Sequence, residues 1–325
     1  MSYRSIIGHR EQIEAFQRAF ARRRIAHAYL LSGLSGIGKR RFAHEVAKML
    51  NCVAGGVDPC DACLSCRKIE HGNHPDVLHV EPEGKFIKIA QIRALQHELS
   101  YKPYEGSHRV VIVESAESFH TAAANAILKT LEEPPVSTIF LLLTASPHLL
   151  LPTIRSRCQL IRFSPLPAPL IEAELRKRGV PEERSAAIAA IAQGSLGRAL
   201  DLLENEERLD LRRERIERLL SLSPNRGDEI LAFAEVLSKG DDLEDTLTFF
   251  ETWFRDLLVV RWGGGRPFNL DLEEELLRRA PTCEPSQILT ALEAVGRAKE
   301  ALHQNANRLL TLEDLLLSLA TGGEG

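Results

Sequence analysis

No one sign of charge dominates this chain. Its 41 lysines and arginines and 45 aspartates and glutamates leave a net charge of −4 with histidine neutral, and the two signs are interspersed. Nothing in the balance announces a nucleic-acid-binding surface running over the whole protein. Also missing is an apolar stretch near the ~20 residues that cross a bilayer. The nearest, 141–151, is broken by Thr144, Ser146, Pro147 and His148. Residues 1–10 are polar and lack a signal-peptide pattern, and no internal repeat is visible. The expectation is a cytoplasmic protein with no membrane partner. At 325 residues, 44% of them hydrophobic, there is enough apolar material for a core and for two or three domains.

What is present starts at residue 33. Residues 33–40 read Gly-Leu-Ser-Gly-Ile-Gly-Lys-Arg. This is a phosphate-binding loop, G-x-x-x-x-G-K-[ST], with its last position changed. Gly33, Gly36 and Gly38 let the backbone curl and aim N–H groups at phosphates, and Lys39 would reach the β/γ-phosphates. The final hydroxyl, a Mg²⁺ ligand in the intact motif, is replaced by Arg40. The apolar run 28–31 before the loop reads as a buried strand, and Phe42, Val46, Met49 and Leu50 after it recur at helical spacing. Strand, glycine turn and helix is the context the motif needs.

Four of six cysteines, Cys52, Cys60, Cys63 and Cys66, fall together as C-x₇-C-x₂-C-x₂-C. In a reducing compartment such a cluster suggests a metal before a disulfide framework. Pairs separated by two residues let both thiolates face one ion, and four thiolates suit tetrahedral Zn²⁺. An iron–sulfur cluster also takes four cysteines, and four unrelated buried cysteines are the bland alternative. Nearby His71 and His74 are expected to be exposed, and Cys283 an ordinary half-buried thiol.

Candidate strands at 28–31, 77–80, 110–113, 138–143 and 159–163 alternate with candidate helices at 40–51, 90–100 and 122–132. That alternation argues for a mainly parallel α/β sheet. Pro165, Pro167 and Pro169 then form a stiff break. Beyond it the chain reads as helical throughout: 170–178, 182–193, 196–204, 209–222, 228–239, 243–262, 272–280, 285–301 and 305–321. In 243–262, Leu243, Leu247, Phe250, Phe254, Leu257 and Leu258 form an apolar stripe expected to pack within a bundle.

A hydrolysing P-loop enzyme carries a second strand ending in Asp-Glu, for metal and for the attacking water. Here the strand at 110–113 runs into Glu114-Ser115-Ala116-Glu117. Glu114 replaces the Asp. Ser115 stands at the Glu position, where a hydroxyl cannot act as a carboxylate base near neutral pH. Glu117 reads as a surface acid at the start of a helix.

Residues 125–135, Asn-Ala-Ile-Leu-Lys-Thr-Leu-Glu-Glu-Pro-Pro, are followed by an apolar strand and then by Thr153-Ile154-Arg155-Ser156-Arg157-Cys158. Together with the cysteine knuckle after the P-loop helix, these strings resemble the bacterial clamp-loader subunits of the AAA+ family. The resemblance implies a AAA+ P-loop-like α/β domain over 1–165 with a zinc module at 52–66. A small helical lid over 166–206 and an all-α oligomerisation collar over 207–325 would follow. It implies that Arg157, in the Ser-Arg-Cys frame, is an arginine finger acting in trans on a neighbour's nucleotide. Arg198, in Gly194-Ser195-Leu196-Gly197-Arg198, would be the lid's phosphate-sensing arginine. Ile7-Gly8-His9 would lie beside the adenine pocket, and Thr144 near a sensing position.

The changes at Arg40, Glu114 and Ser115 point within that family to its stationary, non-hydrolysing subunit rather than to a gamma/tau-type motor, which remains the alternative. The implied partners are gamma/tau and delta subunits and, through the complex, the sliding clamp and primed DNA. Whether ATP or ADP occupies the loop stays open. A third reading, a zinc-knuckle nucleic-acid-binding protein, has only Arg67 and Lys68 beside Cys66 and lacks interleaved aromatics.

Overall fold

The apolar residues of the central strands form unbroken runs, as strands covered on both faces must. The structure, a computed structural model, describes Tyr3, residues 6–304 and residues 306–321. Its described part divides into two compact units: residues 1–171 with 194–198, and residues 172–193 with 199 onward.

The first unit runs α1 (Arg10–Ala21), β1 (Ala28–Ser32), α2 (Lys39–Asn51), α3 (Leu64–Glu70), β2 (Val77–Val80), α4 (Ile89–Leu99), β3 (Arg109–Val113), α5 (Thr121–Glu132), β4 (Thr138–Thr144), α6 (Pro152–Arg155) and β5 (Gln159–Arg162). All five strands pair in parallel in the order β2-β3-β4-β1-β5, which makes β5 an edge. Side chains alternate across the sheet. Tyr29, Leu31, Val110, Ile112, Ile139, Leu141 and Leu143 join α2 in one core. Leu30, Val111, Val113, Phe140 and Leu142 join α4 and α5 in the other. The α/β expectation and all five strands are present, each within a residue of its expected ends. Helix α5 stops at Glu132, just before Pro134 and Pro135, which cannot continue it.

Three helices of this unit lie outside the expected set: α1, α3 and the single-turn α6. Helix α1 is rich in Arg and Glu and fully buries only Phe16. Helix α3 lies inside the knuckle segment, whose glycines and proline read as turns; Cys63 caps it, its sulfur accepting the Cys66 N–H at 3.4 Å.

From residue 168 the elements are α7 (Ala168–Lys177), α8 (Glu182–Ile191), α9 (Leu196–Glu204), α10 (Glu207–Leu220), α11 (Gly227–Lys239), α12 (Leu243–Trp262), α13 (Glu273–Arg279), α14 (Pro285–His303) and α15 (Arg308–Thr321). No strand occurs there among the described residues. The expected start of the last helix, Asn305, lies outside the described residues. In the second unit α12 is shared by two cores. Leu243, Leu247 and Phe250 pack with α11, α14 and α15; Phe249, Trp253 and Leu257 pack with Ile216, Leu276 and Ile288. The apolar stripe is therefore bundle packing, with Phe254 and Leu258 half-buried at its margin. Among the described residues no helix is long and apolar enough to cross a membrane.

Candidate functional site

Parallel strands carry their loops to one sheet edge, where ligands of open α/β sheets bind. Register places the ends of β1 and β4 side by side, Ser32 against Thr144, with Val113 of β3 beside Leu142 and Val80. The loop at 33–38, Glu114 and Thr144 thus share that edge. Gly33 donates its N–H to the Thr144 carbonyl at 3.1 Å. Gly38, at φ +112°, caps α2 in a conformation that favours glycine.

Lys39 is 8% exposed. Its Nζ donates to the carbonyls of Gly33 at 2.6 Å and Leu34 at 2.8 Å. Burial lowers its ammonium to about 8, and the nearby Glu117 carboxylate opposes the shift. Glu117 is consequently not the free surface acid expected. It is half-buried in a short turn, 116–118, and its Oε1 accepts the Ala145 N–H at 3.1 Å. Ser115 is exposed and has a left-handed backbone, φ +46°.

Arg40 and Glu114, at the two positions where an intact P-loop motif holds its metal, meet. Arg40 donates from Nε to Glu114 and from Nη2 to Glu81. Burial pushes the Glu114 carboxyl up from its ordinary range, and Arg40 pulls it back. Glu81 belongs to no motif; its one pointer in the sequence is its place just past β2.

The segment 194–198 packs on the loop. Ser195 Oγ donates to the Ser35 carbonyl at 2.7 Å, and the Gly197 N–H donates to Gly36 O at 2.8 Å. A Cβ on Gly197 would stand 2.8 Å from the Gly36 Cα, so only glycine fits this approach. Arg198 joins the segment through its backbone N–H, which donates to Ser195 Oγ at 3.2 Å. His9 is buried with Nε2 at 3.0 Å from the Ile37 carbonyl and its ring edge-on to Phe163; burial lowers its pKa.

Arg157 lies away from this loop, between α6 and the edge strand β5. Its Nη1 donates to the Thr153 carbonyl at 2.9 Å and its Nη2 to Glu132 Oε1 at 2.5 Å. One third of its side chain stays exposed. Glu132 belongs to the Leu-Glu-Glu-Pro-Pro string, so that motif supplies the acid that holds the arginine.

The four cysteine sulfurs lie within 4.8 Å of one another. Thiolates ~2.3 Å from one ion stand ~3.8 Å apart, so a small inward closure completes a tetrahedral site. The backbone already favours thiolates. Cys63 and Ala62 N–H groups lower Cys60 to about 6; burial raises Cys66. The donor set fits a metal such as Zn²⁺. His71 is exposed as expected, but His74 is 3% exposed, its Nδ1 accepting the Asp76 N–H at 3.1 Å. The knuckle is tied to α2 by Lys48. Its side chain is 2% exposed, and its Nζ reaches Glu45 at 3.2 Å, Asp61 at 3.0 Å, and Glu70.

A family model described as DNA polymerase III, delta subunit, matches residues 8–167. A second, DNA polymerase III, delta subunit, C terminal, matches residues 206–321. The chain is 34% identical over 307 residues to DNA polymerase III subunit delta' of Bacillus subtilis, covering 92% of each protein. It is 32% identical over 300 residues to the delta' subunit of Escherichia coli, 90% of this chain and 88% of that one. To subunit tau of Bacillus subtilis it is 28% identical over 287 residues, 81% of this chain and 51% of tau.

Proposed function

The chain belongs to the delta' subunit family of bacterial DNA polymerase III, and on that premise we propose that it is a non-hydrolysing clamp-loader subunit whose chemical contribution is Arg157. The observation that carries the reading is where its two arginine sites stand. Arg40 is tied up with Glu81 and Glu114 in the chain's own loop. Arg157 stands before the edge strand, away from that loop, paired with Glu132 and with a third of its side chain exposed. A guanidinium there suits the γ-phosphate of a nucleotide on an adjoining gamma/tau subunit, where it stabilises charge that develops in transfer. In the same reading, residues 166–206 act as lid and 207–325 as the collar that joins gamma/tau and delta. The clamp and primed DNA are met through the complex. Zn²⁺ on Cys52, Cys60, Cys63 and Cys66 is structural.

The isolated chain should hydrolyse ATP at background rate. Arg40 offers no oxygen to a metal, and Ser115 cannot replace a carboxylate. The triple change Arg40→Thr, Glu114→Asp and Ser115→Glu should recover weak turnover only with a neighbour's arginine present. The reading itself is tested by reconstitution. Gamma/tau and delta without this chain should load clamps poorly, and adding it should restore loading. Clear turnover by the unmodified isolated chain would favour the gamma/tau motor reading instead.

A further inference from the structure

In P-loop enzymes Mg²⁺ is held by the loop's Ser or Thr and by an acid ending the second strand. In this sequence those positions are Arg40 and Glu114, and each taken alone reads as a loss. In the structure they bond to each other. Arg40 lies in the first turn of α2, Glu114 directly follows β3, and Glu81 directly follows β2. One guanidinium joins all three elements, with Nε on Glu114 and Nη2 on Glu81.

Magnesium does not fit this arrangement. It demands near-octahedral oxygen ligands, and the loop hydroxyl is absent. The two carboxylates that face the position are already bonded. The guanidinium cannot be deprotonated in a protein, so its charge is permanent, and a divalent ion at the same place would meet a like charge. We propose that the Arg40 guanidinium stands in the metal's place as a built-in cation, cross-linking α2 to the ends of β2 and β3 and excluding divalent metal from the loop. The chain therefore holds this edge of the sheet together without Mg²⁺ and without nucleotide. The inference goes beyond the loader reading and does not depend on Arg157: either can fail while the other stands.

Manganese, an EPR-visible substitute for Mg²⁺, tests it on the full chain already saturated with Zn²⁺ at the cysteines. With Mn²⁺ alone, and with Mn²⁺ plus ADP, the unmodified protein should leave the free-Mn²⁺ signal at the level of the matching protein-free solution. Arg40→Ser removes the guanidinium, restores a hydroxyl and releases two carboxylates. It should bind about one Mn²⁺, roughly tenfold or more tighter than the unmodified chain. With no divalent metal present beyond the cysteine-bound Zn²⁺, this variant should melt ~2–4 °C lower than the unmodified chain, and Mn²⁺ should return part of that loss, whereas Mn²⁺ should not move the unmodified protein's melting. Glu81→Gln keeps the guanidinium on Glu114 and should gain no Mn²⁺ site. Stoichiometric Mn²⁺ on the unmodified chain overturns the proposal. So does an Arg40→Ser chain that keeps its stability without added Mn²⁺ or gains no metal, or a Glu81→Gln chain that does gain it.

Discussion

Replacing Arg157 by alanine should leave the isolated chain folded and the loader assembled, yet lower DNA- and clamp-stimulated ATP turnover by about tenfold. The fold should survive because the substitution removes a partly exposed ion pair to Glu132, a hydrogen bond to the Thr153 carbonyl and a long one to Ser156 Oγ. Exposed pairs of this kind contribute only ~0.2–1 kcal/mol. The rate effect is argued from charge. A finger supplied in trans is worth ~10³–10⁵ where it serves the only active site. A loader with several motor subunits keeps fingers at its other interfaces, so the loss is expected to be smaller. Arg157→Lys should recover little, since a point charge lacks the planar fork. Arg155→Ala, two residues away and outside the Ser-Arg-Cys frame, should have the lesser effect. Steady-state turnover and clamp loading by reconstituted complexes are the measurements. Normal rates with Arg157→Ala would make the residue a surface arginine and remove the proposed chemistry.

What is legible in the sequence and what is not divide by the range of the interactions. The strands are legible because a buried strand writes its environment into consecutive residues: Val110–Val113 is apolar at every position because both faces are covered. The loop is legible for the same reason, its glycines and Lys39 being neighbours in the chain. Pairings between distant residues are not. Arg40 and Glu114 read as two separate defects, and only the fold brings them together with Glu81. Glu117 reads as a surface acid because nothing local reveals that the turn 116–118 faces Lys39 and Ala145. His74 reads as exposed, yet Asp76 and the 104–106 segment close over it. Asp76 accepts N–H groups from Tyr104, Glu105 and Gly106, and Glu105 stands 3.6 Å from the His74 ring. Gly197 reveals its need for glycine only once Gly36 lies against it. Helix α1 has a local signal, Ile13, Phe16 and Phe20 at helical spacing, obscured by the charged residues between them.

Purified protein should carry about one zinc per chain and little iron, and Cys63→Ser should release it with a stability loss of ~2–3 kcal/mol. The first part follows from the donor set: four sulfurs within 4.8 Å, with backbone N–H groups already aimed at Cys52, Cys60 and Cys63. The magnitude follows from how the knuckle is anchored. Ile69 of α3 is 1% exposed and belongs to the sheet's core. Asp61 and Glu70 are two of the three carboxylates on the Lys48 ammonium. A loosened knuckle would withdraw both and leave that nearly enclosed ammonium with Glu45. Breaking a buried pair outright costs ~3–5 kcal/mol; the surviving Glu45 interaction keeps the loss below that range. The sheet should stay folded, because its strands draw their packing from α2, α4 and α5 on both faces. Metal analysis, far-UV circular dichroism and denaturant unfolding of both forms decide the matter. Protein with an intact cysteine cluster and no zinc, or a Cys63→Ser chain of unchanged metal content, would end the zinc assignment. An unchanged unfolding midpoint in a zinc-free variant would show instead that the ion does not hold the knuckle against α2.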